Sequence, residues 1–126
     1  MVKTVFVYSA YLTRISEHPY NVIVVDWGLL AIPNAPFVAP VFYPFAVNNV
    51  WKTGIRLGEF ISWLKNETLI DVNKVHILGF SLGSHVSGKA GNWVQEIYGE
   101  RVLRITGIYC QAISMVFDLN FWNIEY

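Results

Sequence analysis

Charge, cysteine and long unbroken apolar runs are all scarce in this chain. Only 14% of the 126 residues are charged, and nine basic side chains balance nine acidic ones. No stretch gathers charge of one sign, so a nucleic-acid partner is not expected. The single cysteine, Cys110, excludes a disulfide closed within the chain. No segment supplies the ~20 consecutive apolar residues of a membrane-spanning helix. The richest stretch, Val22 to Val47, contains Asp26 and Asn34 and holds Pro33, Pro36, Pro40 and Pro44, and a helix does not run through four prolines. No cofactor and no metal site is expected. The start, Met1 to Leu12, has the outline of a short signal peptide. Thr13-Arg14-Ile15 stands where small cleavage-site residues would follow, so the segment reads as structure.

Apolar residues, by contrast, make up 54% of the chain. That argues against disorder and suits a parallel sheet whose strands are covered on both faces. Val5 to Ile15 reads as a helix, ended by His18-Pro19. Asn21 to Asp26 reads NVIVVD, four β-branched residues between polar ones, which predicts a buried strand. Residues 29 to 44 are proline-rich and predict a long irregular loop. From Phe45 a three- and four-residue period appears: Val47, Val50, Trp51, Gly54, Leu57, Gly58, Ile61 and Leu64 on one stripe, Asn49, Lys52, Arg56 and Glu59 on the other. This predicts an amphipathic helix of about 20 residues, on the order of 30 Å long. Gly54 and Gly58 on the buried stripe would let it lie close to a sheet.

Asp71-Val72-Asn73 predicts a turn, and Lys74 to Gly79 a second buried strand. Leu82 to Tyr98 predicts a second helix with Val86, Ala90, Val94 and Ile97 inward, Gly88 and Gly91 at close approaches, and Gly99 as its stop. Val102 to Ile108 predicts a third strand. Strands alternating with helical connections predict one α/β domain with a parallel sheet. The tail from Ser114 shows neither period. Asn66-Glu67-Thr68 is an N-glycosylation sequon, used only in a chain that enters the secretory pathway.

The chemistry centres on Gly79-Phe80-Ser81-Leu82-Gly83, a G-x-S-x-G pattern between an apolar strand and a small-residue helix. In such a nucleophile elbow the serine sits on a sharp, strained turn that pushes its hydroxyl out at the strand's carboxyl end. A side chain at either flanking glycine, Gly79 or Gly83, is expected to collide with neighbouring backbone. The helix N-terminus favours negative charge, and the Leu82 N–H would be one donor to a tetrahedral oxyanion.

The wider run Val75-His76-Ile77-Leu78-Gly79-Phe80-Ser81-Leu82-Gly83-Ser84-His85-Val86-Ser87-Gly88-Lys89-Ala90-Gly91 is similar to the signature of the pancreatic-type lipase family. Three further matches follow the family's order. Tyr20 to Trp27 resembles its NVIxVDW strand. Tyr43, Ala46 and Asn48 fit its Y-x-x-A-x-N pattern, and Arg104 to Ile108 fits its RITGL strand. The resemblance covers about residues 11 to 108, leaves 109 to 126 divergent, and lies nearer the arthropod neutral lipases and sn-1 phospholipases than the digestive lipases. It implies the central part of an α/β-hydrolase fold, a parallel sheet with flanking helices. It also implies an extracellular hydrolase of triglyceride or phospholipid esters that meets its substrate at a lipid–water interface, with Ser81 as nucleophile.

The chain departs from the family where the rest of the machinery belongs. The family's third strand continues into an aspartate that orients the catalytic histidine; Tyr109 stands there, and Asp118 is the only later aspartate. The family's triad histidine comes later than this chain extends. Of the histidines present, His18 precedes the first strand, His76 reads as a satisfied core residue, and His85 takes a structural role in the match. The HG-containing loop that gives the second oxyanion donor is missing before residue 20. One lost donor costs about 10²- to 10³-fold, and removing the histidine of a well-studied serine hydrolase costs roughly 10⁶-fold. Taken literally, the chain is therefore expected to hydrolyse esters poorly. The competing expectation is a non-catalytic lipid-binding or yolk-type relative on the same fold.

Overall fold

A computed structural model describes residues 21–31 and 39–108 of the chain. Two strands, β1 (His76–Phe80) and β2 (Arg104–Ile108), pair in parallel with His76 opposite Arg104 and Phe80 opposite Ile108. Among the described residues three α-helices accompany them: α1 (Gly28–Ala31), α2 (Ala39–Asn66) and α3 (Leu82–Tyr98). The connection from β1 to β2 runs through α3, the helical crossover that a parallel pair requires. The α/β architecture expected from the sequence is therefore present, and both strands match its second and third predicted strands with later starts.

The short rise into β1 follows from Asp71. Its carboxylate accepts the Asn73 N–H at 3.0 Å and caps a single 3₁₀ turn, Val72–Lys74. Lys74 is thus spent on the turn, and β1 begins two residues later than predicted. Helix α3 spans its predicted limits and ends at Gly99, whose φ of 66° is the left-handed stop that glycine adopts without steric cost. Val86, Ala90 and Val94 are buried as expected, but Ile97 is 56% exposed. The inward row advances by four residues and reaches Tyr98, which packs against the core, so Ile97 turns outward.

Helix α2 corrects the sequence reading most. It begins at Ala39, not near Phe45, and so runs through Pro40 and Pro44. Pro40 falls in the first turn, where its missing N–H has no intrahelical acceptor to lose. Pro44 forgoes one bond, which 28 residues of helix absorb. The predicted loop over 29 to 44 is interrupted at both ends, by α1 and by the α2 residues 39–44. Asn49, expected on the solvent side, is buried. Its Nδ2 donates to the Leu30 carbonyl at 3.0 Å and so satisfies the end of α1. Trp51, expected inside, is half exposed. Its ring lies against the amine of Lys89, 4.0 Å from the centroid, a cation–π contact across the two helices.

The two glycines of α2 do permit a close approach, but to α3 rather than to the sheet. A methyl at Gly54 would sit 2.5 Å from Lys89 Cβ, and one at Gly58 would sit 2.6 Å from Trp93 Cβ. Farther along, Asn66 meets Tyr98. The pairs advance together, so α2 and α3 run in the same direction. On the other flank of α3, Gly91 faces Ile105 of β2, 2.4 Å from an added methyl to Ile105 Cδ1. Helix α3 is thus pressed between a helix and a sheet, which explains why Ser84 to Gly91 are all buried. Ile61, Val72, Ile77, Ala90 and Val94 form the core of this sandwich.

The predicted strand Asn21 to Asp26 is not one. Residues 21–27 carry no strand pairing, and Ile23, Val24 and Val25 are 58%, 49% and 43% exposed. β-Branching favours extended backbone, but a strand exists only with a ladder partner, and among the described residues the sheet has two strands. Asp26 instead accepts the Gly28 N–H at 2.9 Å and opens α1. The helix expected over Val5 to Ile15, His18, Tyr109, Cys110, Asp118 and the divergent tail lie outside the described residues. No described helix is long and apolar enough to cross a membrane.

Candidate functional site

Ser81 is the one residue between the last position of β1 and the first of α3. Its φ of 53° and ψ of −123° lie in a region that residues with a side chain seldom occupy. Two constraints impose that conformation. The Ser81 N–H donates to the Ile108 carbonyl at 2.8 Å, extending the β1–β2 ladder one residue past the strand. The Ser81 carbonyl accepts the Ser84 N–H at 2.9 Å, starting the helix at once. The chain therefore switches from extended to helical across a single residue, and Ser81 is left exposed.

The reversal folds the first turn of α3 back over the end of β1. An added methyl at Gly79 would fall 2.3 Å from the Gly83 carbonyl oxygen and 2.6 Å from Ser84 Cα, so residue 79 must be glycine. The Ser84 hydroxyl donates to the Gly79 carbonyl at 3.2 Å and ties the crossing together. Gly83 corrects the sequence reading: a methyl there meets nothing within 4 Å. It lies inside the helix on the open side of the turn, so the expected collision is one-sided. Leu82 is the first residue of α3, and its N–H is among those that have no acceptor within a helix. It is held next to Ser81 at the positive end of a 17-residue helix.

The two described histidines differ in their placement relative to Ser81. His76 stands at the opposite end of β1, five residues away, which at ~3.3 Å per residue is roughly 16 Å. It is not the core residue expected from the sequence. The residue is exposed, and its ring Nε2 lies 2.9 Å from Thr106 Oγ1 on the neighbouring strand. Partial burial of the ring lowers its pKa from the ordinary 6.5, and the nearby Arg104 charge lowers it further. His85, one turn beyond Ser81, is 2% exposed, whereas Ser81 itself is exposed. Among the described residues, no three His, Cys, Asp or Glu side chains come together to hold a metal ion.

Sequence reasoning located Ser81, Leu82 and Gly79 at this junction and missed two groups that hold it. The Ile108 carbonyl becomes a partner only through pairing with a distant strand, which no local pattern encodes. Ser84 had a legible signal: a hydroxyl three residues after Ser81, within the first helical turn.

The family model for Lipase matches residues 7–116. Lipoprotein lipase of Rattus norvegicus is 36% identical over 92 residues, and that of Homo sapiens 35% over 92. Hepatic triacylglycerol lipase of Rattus norvegicus is 37% identical over 93 residues. Each match covers 73% of this chain, while the chain spans only 17% of the length of each relative. No solved structure matches the chain. A serine raised on a strained strand-to-helix turn, in a chain matched over most of its length by these proteins, has one reading: the chain belongs to the lipase family.

Proposed function

We propose that this chain is the nucleophile-bearing segment of a carboxylic-ester hydrolase of the lipase family. Its substrates are triglyceride or phospholipid esters met at a lipid–water interface outside the cell. The observation that carries the reading is the exposed, strained Ser81 at the N-terminus of α3. Ser81 Oγ attacks the ester carbonyl carbon and gives up its proton to a base. The carbonyl oxygen becomes an oxyanion, which the Leu82 N–H and the helix dipole stabilise. Collapse expels the alcohol and leaves an acyl-enzyme, which water then hydrolyses. The base is assigned to a histidine outside the described residues, as the family resemblance implies; His76 stands roughly 16 Å from Ser81.

A fluorophosphonate probe tests the proposal on the full-length natural product. Ser81 is expected to be labelled, and Ser81→Ala to lose labelling and ~10⁶-fold in kcat. An ester-hydrolysing product that labels at another serine overturns it. Tyr109, at the family's aspartate position, favours a second reading, a lipid-binding relative without turnover. That reading requires lipid binding that survives Ser81→Ala with no ester hydrolysis in either form.

A further inference from the structure

We propose that Asn66 carries an N-linked glycan, an inference that rests on the extracellular placement proposed above. The sequon Asn66-Glu67-Thr68 coincides with the end of α2, and all three residues are exposed. The geometry presents the acceptor atom. The Tyr98 hydroxyl donates to Asn66 Oδ1 at 2.9 Å, while the Ser62 carbonyl competes for the same proton at a longer 3.3 Å. With Oδ1 taken up by Tyr98, Nδ2 is the other branch of the planar amide. Nδ2 is the atom that takes the sugar.

The second observation is backbone strain where the sequon needs its hydroxyl. The Leu69 N–H donates to the Leu64 carbonyl at 3.0 Å, and the Thr68 N–H to the Lys65 carbonyl at 2.9 Å. This pair of bonds closes a helix with a left-handed residue at position 68, and Thr68 has φ 59°. Glycine fills such a position without cost, and asparagine tolerates it; a β-branched residue is a genuine outlier there. Gly99 does the same work at the end of α3. Glycine at 68 would relieve the strain but delete the sequon. The strained threonine is what a glycan acceptor at Asn66 demands.

In the transfer, a bond forms between Asn66 Nδ2 and the anomeric carbon of a lipid-linked oligosaccharyl pyrophosphate. The carbon–oxygen bond to pyrophosphate breaks, the lipid pyrophosphate leaves with the electron pair, and one Nδ2 proton passes to the transferase. The added sugar would stand beside the Lys65–Glu100 ion pair, on a corner with solvent around it, and would leave the α2–α3 contact closed.

The test immunopurifies the native protein from its source, separately from extracellular fluid and from cell lysate. Glycosidase release in heavy-oxygen water then marks any glycosylated asparagine as labelled aspartate in peptide mass maps. Labelled aspartate at residue 66 in the extracellular protein is expected. Extracellular protein with unmodified Asn66 overturns the glycan and leaves the placement standing. Protein found only in the cytosol and unmodified overturns both. In a secretory expression host, Asn66→Gln and Thr68→Ala should abolish the modification and Thr68→Ser should keep it. A glycan that persists at this peptide in N66Q also overturns the assignment. In protein made without glycan, Thr68→Gly should raise the urea midpoint; an unchanged or lower midpoint removes the strain argument.

Discussion

At Gly79 an added methyl would lie 2.3 Å from a carbonyl oxygen and 2.6 Å from an α-carbon. Both belong to backbone already held by the Ser81 and Ser84 hydrogen bonds, so neither can give way. Gly79→Ala is therefore expected to cost about 3 kcal/mol or more. Gly83→Ala meets open space at a helical position and should be neutral or stabilising by about 0.5 kcal/mol. Urea titration of the two variants checks the contrast; equal losses would mean that both glycines serve the turn. His76 supports a different prediction. Its neutral form is favoured in the fold, with partial burial the larger cause and Arg104 the smaller. The associated stability is complete above the unfolded value of 6.5 and is lost as pH falls through the lower folded value. Between pH 7 and pH 5, His76→Gln should remove that acid-side loss from the stability curve. Curves that stay parallel would show that the ring's surroundings do not matter to folding. The pattern Gly-x-Ser-x-Gly made Ser81 legible, yet it treated its two glycines alike. Only the crossing of β1 by the first turn of α3 separates them, and a crossing in space leaves no mark on local spacing.

Elements were legible in proportion to how local their causes are. Helix α3 kept its predicted ends because its start and its Gly99 stop are both encoded in neighbouring residues. The stretch Asn21–Asp26 failed because its β-branched residues specify extended backbone but not a partner. Asn49 and Trp51 apart, the stripe on α2 showed which face is buried and not what covers it, so Gly54 and Gly58 were assigned to the sheet when they face Lys89 and Trp93 of α3. That contact has a consequence for paired substitutions. A methyl at Gly54 or at Gly58 pushes α2 from α3 and should cost about 1–3 kcal/mol alone. The two sites lie one turn apart on a single rigid helix, so the separation forced by one relieves much of the clash at the other. The double variant should then be less destabilised than additivity requires, by ~1 kcal/mol. Full additivity would mean that Lys89 and Trp93 adjust independently and that the helices do not move as bodies.

For the whole molecule, the question is whether the strained serine turn has a stability of its own. A residue in a sparsely populated backbone region costs of order 1–3 kcal/mol and persists only when its surroundings over-determine it. At Ser81 those surroundings belong to three elements: the end of β1, the Ile108 carbonyl of β2 and the first turn of α3. All three meet the core through Ile77, Ala90, Val94 and the partly buried Ile105. If the core holds the turn, weakening the core far from Ser81 should loosen it in step. Val94 is fully buried, three turns along α3, and Val94→Ala should cost about 2 kcal/mol. The Ser81 N–H, bonded across to β2, would then exchange with solvent ~30-fold faster, the factor equivalent to that loss. An independent local opening of the turn would instead leave its exchange unchanged while amides in the middle of α3 accelerate. Amide exchange on the two proteins separates these cases. The first is expected, because no bond that fixes the Ser81 conformation is made within the turn alone: one runs to another strand, and the other exists only while the helix does.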